Sequence, residues 1–315
     1  MTDTSATGPT TPRPSLLSFA IGALGGIAGL LPWLVGGGRL PLQNLWATQT
    51  MPRDMPFSPL PISQYFVALL FSLVLLGGVF AGLAVHVAGQ RRPLVAWQAA
   101  LGVAAVHMIA VVLSFGVLAA GLGFGSGVDP RAILYLAGML GGTIAAVLMA
   151  QVGFWMTSRR SVGVVSLGVA LAAVPFGNWV GRWFAAFTGD AFVPPFVYSL
   201  ERWLPAVVVG AALIWCGVRP VWRLVVWVVA LLALWVTPAL FTAIQAGLGM
   251  RVLQGDVAEM AAVSVQLFPL VLAEVWMPVV VGFAIAVVGT TVRMLVAKAP
   301  REIETGERVE ASPGR

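Results

Sequence analysis

The chain has 315 residues, 59% of them hydrophobic and 10% charged, with a formal net charge of +6. A soluble domain carries about a quarter charged residues, so this chain cannot cover a water-facing surface. Its basic residues form no cluster longer than two, which argues against a nucleic-acid partner, and the single Cys216 excludes intrachain disulfides and cysteine-based metal centres.

Apolar runs of about 20 residues, enough to cross about 30 Å of hydrocarbon, recur along the chain. They predict an all-α integral membrane protein, an eight-span helical bundle with spans near 15–36, 62–88, 94–121, 132–157, 162–185, 204–218, 224–243 and 277–297. The Thr- and Pro-rich residues 1–14 form a short lead. The apolar run after them is longer than a signal-peptide core and lacks a clear cleavage site, so it is read as a retained first span. It contains Gly22/Gly26 and Gly25/Gly29, glycines four apart that let neighbouring backbones approach; Gly78/Gly82 and Gly138/Gly142 repeat the spacing later.

Residues 37–61 follow, with five prolines (Pro41, Pro52, Pro56, Pro59 and Pro61) that fix φ and remove donors. An ordered, non-helical cover is expected there. The next turns set the orientation. After spans two, four and six the chain reads QRRP (90–93), SRR (158–160) and RPVWR (219–223), six arginines and no acid. By the positive-inside rule these turns are cytoplasmic and both termini are cytoplasmic. The opposite connections mix Arg39, Arg53, Arg131, Arg182, Arg202 and Arg251 with acids.

His86 and His107 fall in spans two and three at depths more than about 10 Å apart, at 1.5 Å per residue, so they cannot share a ligand. His107 stands at mid-membrane, where ionisable groups are rare and often functional. GLGFGSG (121–127) resembles a phosphate-binding loop only superficially, because it lacks the Gly-Lys-Ser/Thr ending and does not follow a strand. No nucleotide, metal or other cofactor is expected.

The polar residues that remain gather in the outer connections 186–203 and 244–276 and beside them. Asn178 and Arg182 are four apart on one helix face, between Trp179 and Trp183; Asp190, Glu201, Arg202, Asp256, Glu259 and Glu274 complete the group. Arginine beside tryptophan at a membrane surface suits an anionic lipid headgroup, and paired carboxylates suit a general base for group transfer. The 244–276 connection is expected to hold a short helix at or dipping into the interface, broken at Pro269. ERWLP (201–205) and EVWMP (274–278) echo each other where outer loops enter inward-going spans, which makes spans five–six and seven–eight candidate duplicated hairpins. Residues 298–315 are read as a tail without structure.

These features point to a multi-pass protein of a bacterial cytoplasmic membrane, permease-like or an assembly factor, handling an envelope component at the outer leaflet. No catalytic constellation is evident, although an envelope enzyme acting on a lipid-linked substrate is the alternative, and a structural subunit of a larger complex the third reading. Expected partners are membrane lipids, an anionic or lipid-linked envelope substrate and neighbouring membrane subunits.

Overall fold

The computed structural model describes residues 14–124, 129–189, 192–250 and 256–310, with backbone alone at 14–15 and 297–310. Within these residues the protein is all helical, and the sole β feature is an isolated bridge between Arg39 and Phe57. The helices are α1 Pro14–Val35, α2 Val67–Ala88, α3 Ala96–Gly121, α4 Pro130–Thr157, α5 Val162–Leu171, α6 Ala173–Thr188, α7 Pro195–Cys216, α8 Arg223–Gly249, α9 Val257–Glu274 and α10 Met277–Glu310. Eight of them (α1–α4 and α7–α10) are long and apolar enough to cross a membrane. The bent pair α5 and α6 passes the same test jointly, for up to nine.

This set differs from the expected eight in four places. The fifth span is two helices bent by 51° at Ala172. Pro175 explains the site of the break: it has no N–H for the Leu171 carbonyl four residues back, and its ring clashes with that carbonyl. The 244–276 connection contains α9, 18 residues long, in which Pro269 is absorbed without a break. Helix α7 starts nine residues earlier than expected because Pro195 stands at its first position, where a fixed φ favours helix. The ERWLP stretch is therefore inside a helix, whereas EVWMP spans the α9–α10 break, with Val275 the C-cap of α9. The backbone of α10 remains helical to Glu310, beyond the expected end of the last span.

The chain divides into two compact units. The first comprises Met1–Arg160 with Arg182–Val193, the second Ser161–Gly181 with Pro194–Arg315. In the first unit α1 lies antiparallel to α2, Gly25 against Ala81 and Gly29 against Gly77. Helix α3 runs parallel to α1, with Gly22 on Ala99 and Gly102 on Phe19. Helix α4 runs parallel to α2, with Gly78 on the Ala150 carbonyl and Gly82 on that of Phe154. A Cβ at any of these glycines would collide with backbone, so the glycines set the helix spacing. The Gly138/Gly142 pair does not share this role: neither a Cβ there nor one at Gly141 would meet anything within 4 Å.

The Pro-rich segment between α1 and α2 is an ordered cap. It contains two single 3₁₀ turns, Pro52–Asp54 and Gln64–Phe66, and buries Leu40, Met55, Leu60 and Ile62. Its backbone and side-chain polar groups find partners on three helices. Trp33 Nε1 donates to the Ser58 carbonyl at 2.9 Å, and Leu60 N donates to Ser114 Oγ at 3.0 Å. Ala47 N donates to the Gly121 carbonyl at 2.9 Å, and Tyr135 Oη to Gln43 Oε1 at 2.6 Å.

In the second unit α7 and α10 are parallel. Gly282 packs on Ala206, Gly210 on Ile285 and Gly289 on Ile214, and Arg293 Nη1 donates to the Ile214 carbonyl at 2.9 Å. Helix α8 is antiparallel to both, and its Val226, Trp227, Ala230 and Leu234 join Val209, Leu213 and Ala286 in the core. Helix α9 is antiparallel to α8 along Trp235–Gly247: Trp235 Nε1 donates to the Leu272 carbonyl at 2.8 Å, and Gly247 faces Met260 and Ser264. Since α10 is also antiparallel to α8, meeting it near Trp227 and Leu234, α9 and α10 run in the same direction.

The pairings within the two units correspond. Helix pairs α1–α2, α1–α3, α2–α3, α2–α4 and α3–α4 in the first have counterparts in α5–α7, α5–α8, α7–α8, α7–α10 and α8–α10 in the second. The turn glycines Gly89 and Gly217 cap α2 and α7. Counting back from them, Gly78 matches Ala206 and Gly82 matches Gly210; all four are buried against the fourth helix of their own unit.

Candidate functional site

The expected outer polar residues have separate local roles. Arg182, on α6, is only 8% exposed, and its guanidinium lies 4.8 Å from the centre of the Trp33 ring. It stands beside Gly36, just past the C-terminal end of α1. That end carries a partial negative charge, favourable for a cation. Trp33 is in turn fixed by its bond to Ser58, so Arg182 belongs to the capped end of the first unit.

Glu201 lies in the second turn of α7, half-buried, with its carboxylate folded over the backbone of Gly181. Pro205 leaves the Glu201 carbonyl without its helical donor, and α6 lays Gly177 against that carbonyl. The Gly177-x-x-x-Gly181 spacing was the available signal for this contact, and the sequence reading missed it. Asn178 is on the same helix, partly buried. Arg202 is exposed and stacks 5.4 Å from the centre of the neighbouring Trp203 ring.

The other acids act at helix ends. Asp256 caps α9, its carboxylate accepting from Glu259 N at 3.0 Å, and Glu259 stands in the first turn, where the helix dipole favours an acid. Glu274 is the exposed last residue of α9. Asp190 and Arg251 lie outside the described residues, as do 1–13, 125–128 and 311–315. Among the described residues no three His, Cys, Asp or Glu side chains gather as a metal site.

The two histidines are far apart. His86 Nδ1 is 2.7 Å from the Arg159 carbonyl at one end of the first unit. His107, the twelfth residue of α3, is 1% exposed, and its Nε2 fills the place beside Gly77 where a side chain would begin. Gly77 and His86 are nine residues apart on α2, about 13 Å at 1.5 Å per residue.

Comparison with protein-family models, curated proteins and solved structures returned no match.

Proposed function

We propose that the protein is a permease-like carrier that handles an envelope component at the outer leaflet of a bacterial cytoplasmic membrane. It crosses eight times, with both termini cytoplasmic. The observation that carries this reading is the interruption of two helical paths in the second unit, at Ala172 between α5 and α6 and at Val275–Trp276 between α9 and α10. Interrupted helices free backbone groups at membrane depth, which carriers use to hold substrates and which a purely structural bundle does not need.

The direction of the helices supports the count of eight. Two crossings joined by a two-residue turn would run antiparallel, yet α9 and α10 run the same way beside α8. They are one descending path, with α9 seated in the outer leaflet and the headgroups. Its flank away from α8 is aliphatic, with Val265 and Leu270 exposed, and between Met260 and Ala273 it carries no charge. Membrane lipids cover that flank.

Single-cysteine labelling in intact spheroplasts and inverted vesicles tests the topology. Cysteines at Gln90, Ser158 and Val218 should react from the cytoplasmic side, and one at Glu259 from the outer side. Reaction of the Glu259 site from the cytoplasm would make α9 a full crossing and overturn the count. The function is tested by native mass spectrometry of the protein extracted from membranes. A co-purifying lipid-linked or anionic envelope molecule supports the carrier reading. Turnover that is lost in E201Q, E259Q or E274Q would replace it with the envelope-enzyme reading.

A further inference from the structure

We propose that the two units are copies of one four-helix repeat and that His107 is the point at which the first copy has become a binding site for a small, uncharged hydrogen-bonding molecule. The correspondence of helix pairs described above is matched inside the helices. Ala99, Val103 and His107 recur four apart on the buried face of α3, and Val226, Ala230 and Leu234 recur four apart on the buried face of α8. Counted from the helix start, His107 and Leu234 are each the twelfth residue, of α3 and α8 respectively, and Leu234 is also 1% exposed. The repeat needs an apolar knob there, and a leucine provides it.

The first copy instead holds an imidazole, which presents one donor and one acceptor. Neither ring nitrogen has a hydrogen-bond partner among the described residues. Leaving both unmet in an apolar core costs more than a leucine would, so packing does not account for the residue. The seat is also adapted to the ring: Gly77 gives up its side chain to Nε2, where a Cβ would lie 2.8 Å away. No charged residue occurs in α1 or α3, and His86 is the one titratable side chain of α2, about 13 Å along that helix. With no counter-charge at hand, the guest is neutral, and it must accept from one ring nitrogen and donate to the other. Water is the smallest such molecule; a hydroxyl-bearing solute uses the same two groups. A station of this kind gives a polar molecule its hydrogen bonds at the depth where lipid offers none.

The test uses the full chain in lipid nanodiscs. In an H86Q background, labelling with ¹⁵N-histidine reports His107 alone, and water is the probe. Magnetisation transfer from water to the ring, with both nitrogens at hydrogen-bonded shifts, is the expected result. G77A, whose added methyl presses on Nε2, should abolish the water transfer. H107L restores the residue of the second copy and should melt within a few degrees of the parent. Ring nitrogens bonded to a protein carbonyl, or no contact with water, would overturn the proposal. So would a loss of more than about 8 °C in H107L, several times the shift of a minor repacking. Should G77A fail to fold, the spectrum of the H86Q protein decides by itself.

Discussion

The two units share an arrangement of helices but differ in the segment that follows the first helix of each. In the first, the chain between the first and second helices is a proline-rich cap without regular helix, tied to its unit by side-chain and backbone hydrogen bonds. In the second, the same interval begins with the Ala173–Gly181 part of α6, a helix bent away from α5. The fourth helix diverges too: α4 is one continuous helix of 28 residues, whereas the second unit reaches the same end through α9 and α10. Close packing is thus common to the interiors of both units, and the differences lie in the segment after the first helix and in the continuity of the fourth.

Three substitutions and one pair separate the shared part from the divergent part. The largest effect belongs to the glycine contacts. Gly82→Leu and Gly210→Leu should each cost about 3 kcal/mol or more by forcing packed backbones apart, read as loss of a cooperative melt in tryptophan fluorescence. Sensitivity at one position and tolerance at the other would break the correspondence between the units. Next, Ser114→Ala removes the acceptor for Leu60 N and should cost about 1–3 kcal/mol. Its signature is faster proteolysis within 37–61, with the melt of the helices shifted less. Asp256→Ala removes the cap of α9 and should cost about 1 kcal/mol, seen as faster amide exchange confined to the first turn of α9. The smallest effect has the opposite sign. Gly142→Ala has open space around it and should stabilise α4 by about 0.5–1 kcal/mol, because glycine in a helix loses more chain entropy than alanine. A destabilised Gly142→Ala would show that this face of α4 packs against something in the membrane.

Much of the helical architecture was legible because hydrocarbon length acts on the sequence directly. The apolar runs located α1 to α4 closely, and Pro32 stayed within a helix as a proline near its end can. The bend at Ala172 was harder. Pro175 was visible, but whether a proline kinks or ends a helix depends on the support given to the carbonyl four residues back, which is a tertiary matter. Helix α9 was read as a short interfacial piece because Pro269 and the acids at its ends weaken the apolar signal; its contact with α8 through Trp235 supplies what propensity does not. The expected polar group could not be resolved from sequence, since Arg182 finds Trp33 about 150 residues away and Glu201 finds Gly181 only through the register of two antiparallel helices. Spacing within one helix reports a face; it does not report what that face meets.

Helix α8 has 27 residues and a rise of about 40 Å, against a hydrocarbon core of about 30 Å. With α9 laid along its far half, the second unit presents to the bilayer a flank taller than the membrane it crosses. Such hydrophobic mismatch is relieved by tilt or by thickening of the surrounding lipid. Tilt, or a local ring of longer or more ordered acyl chains around α8 and α9, is the consequence, and α4, with 28 residues, makes the same demand in the first unit.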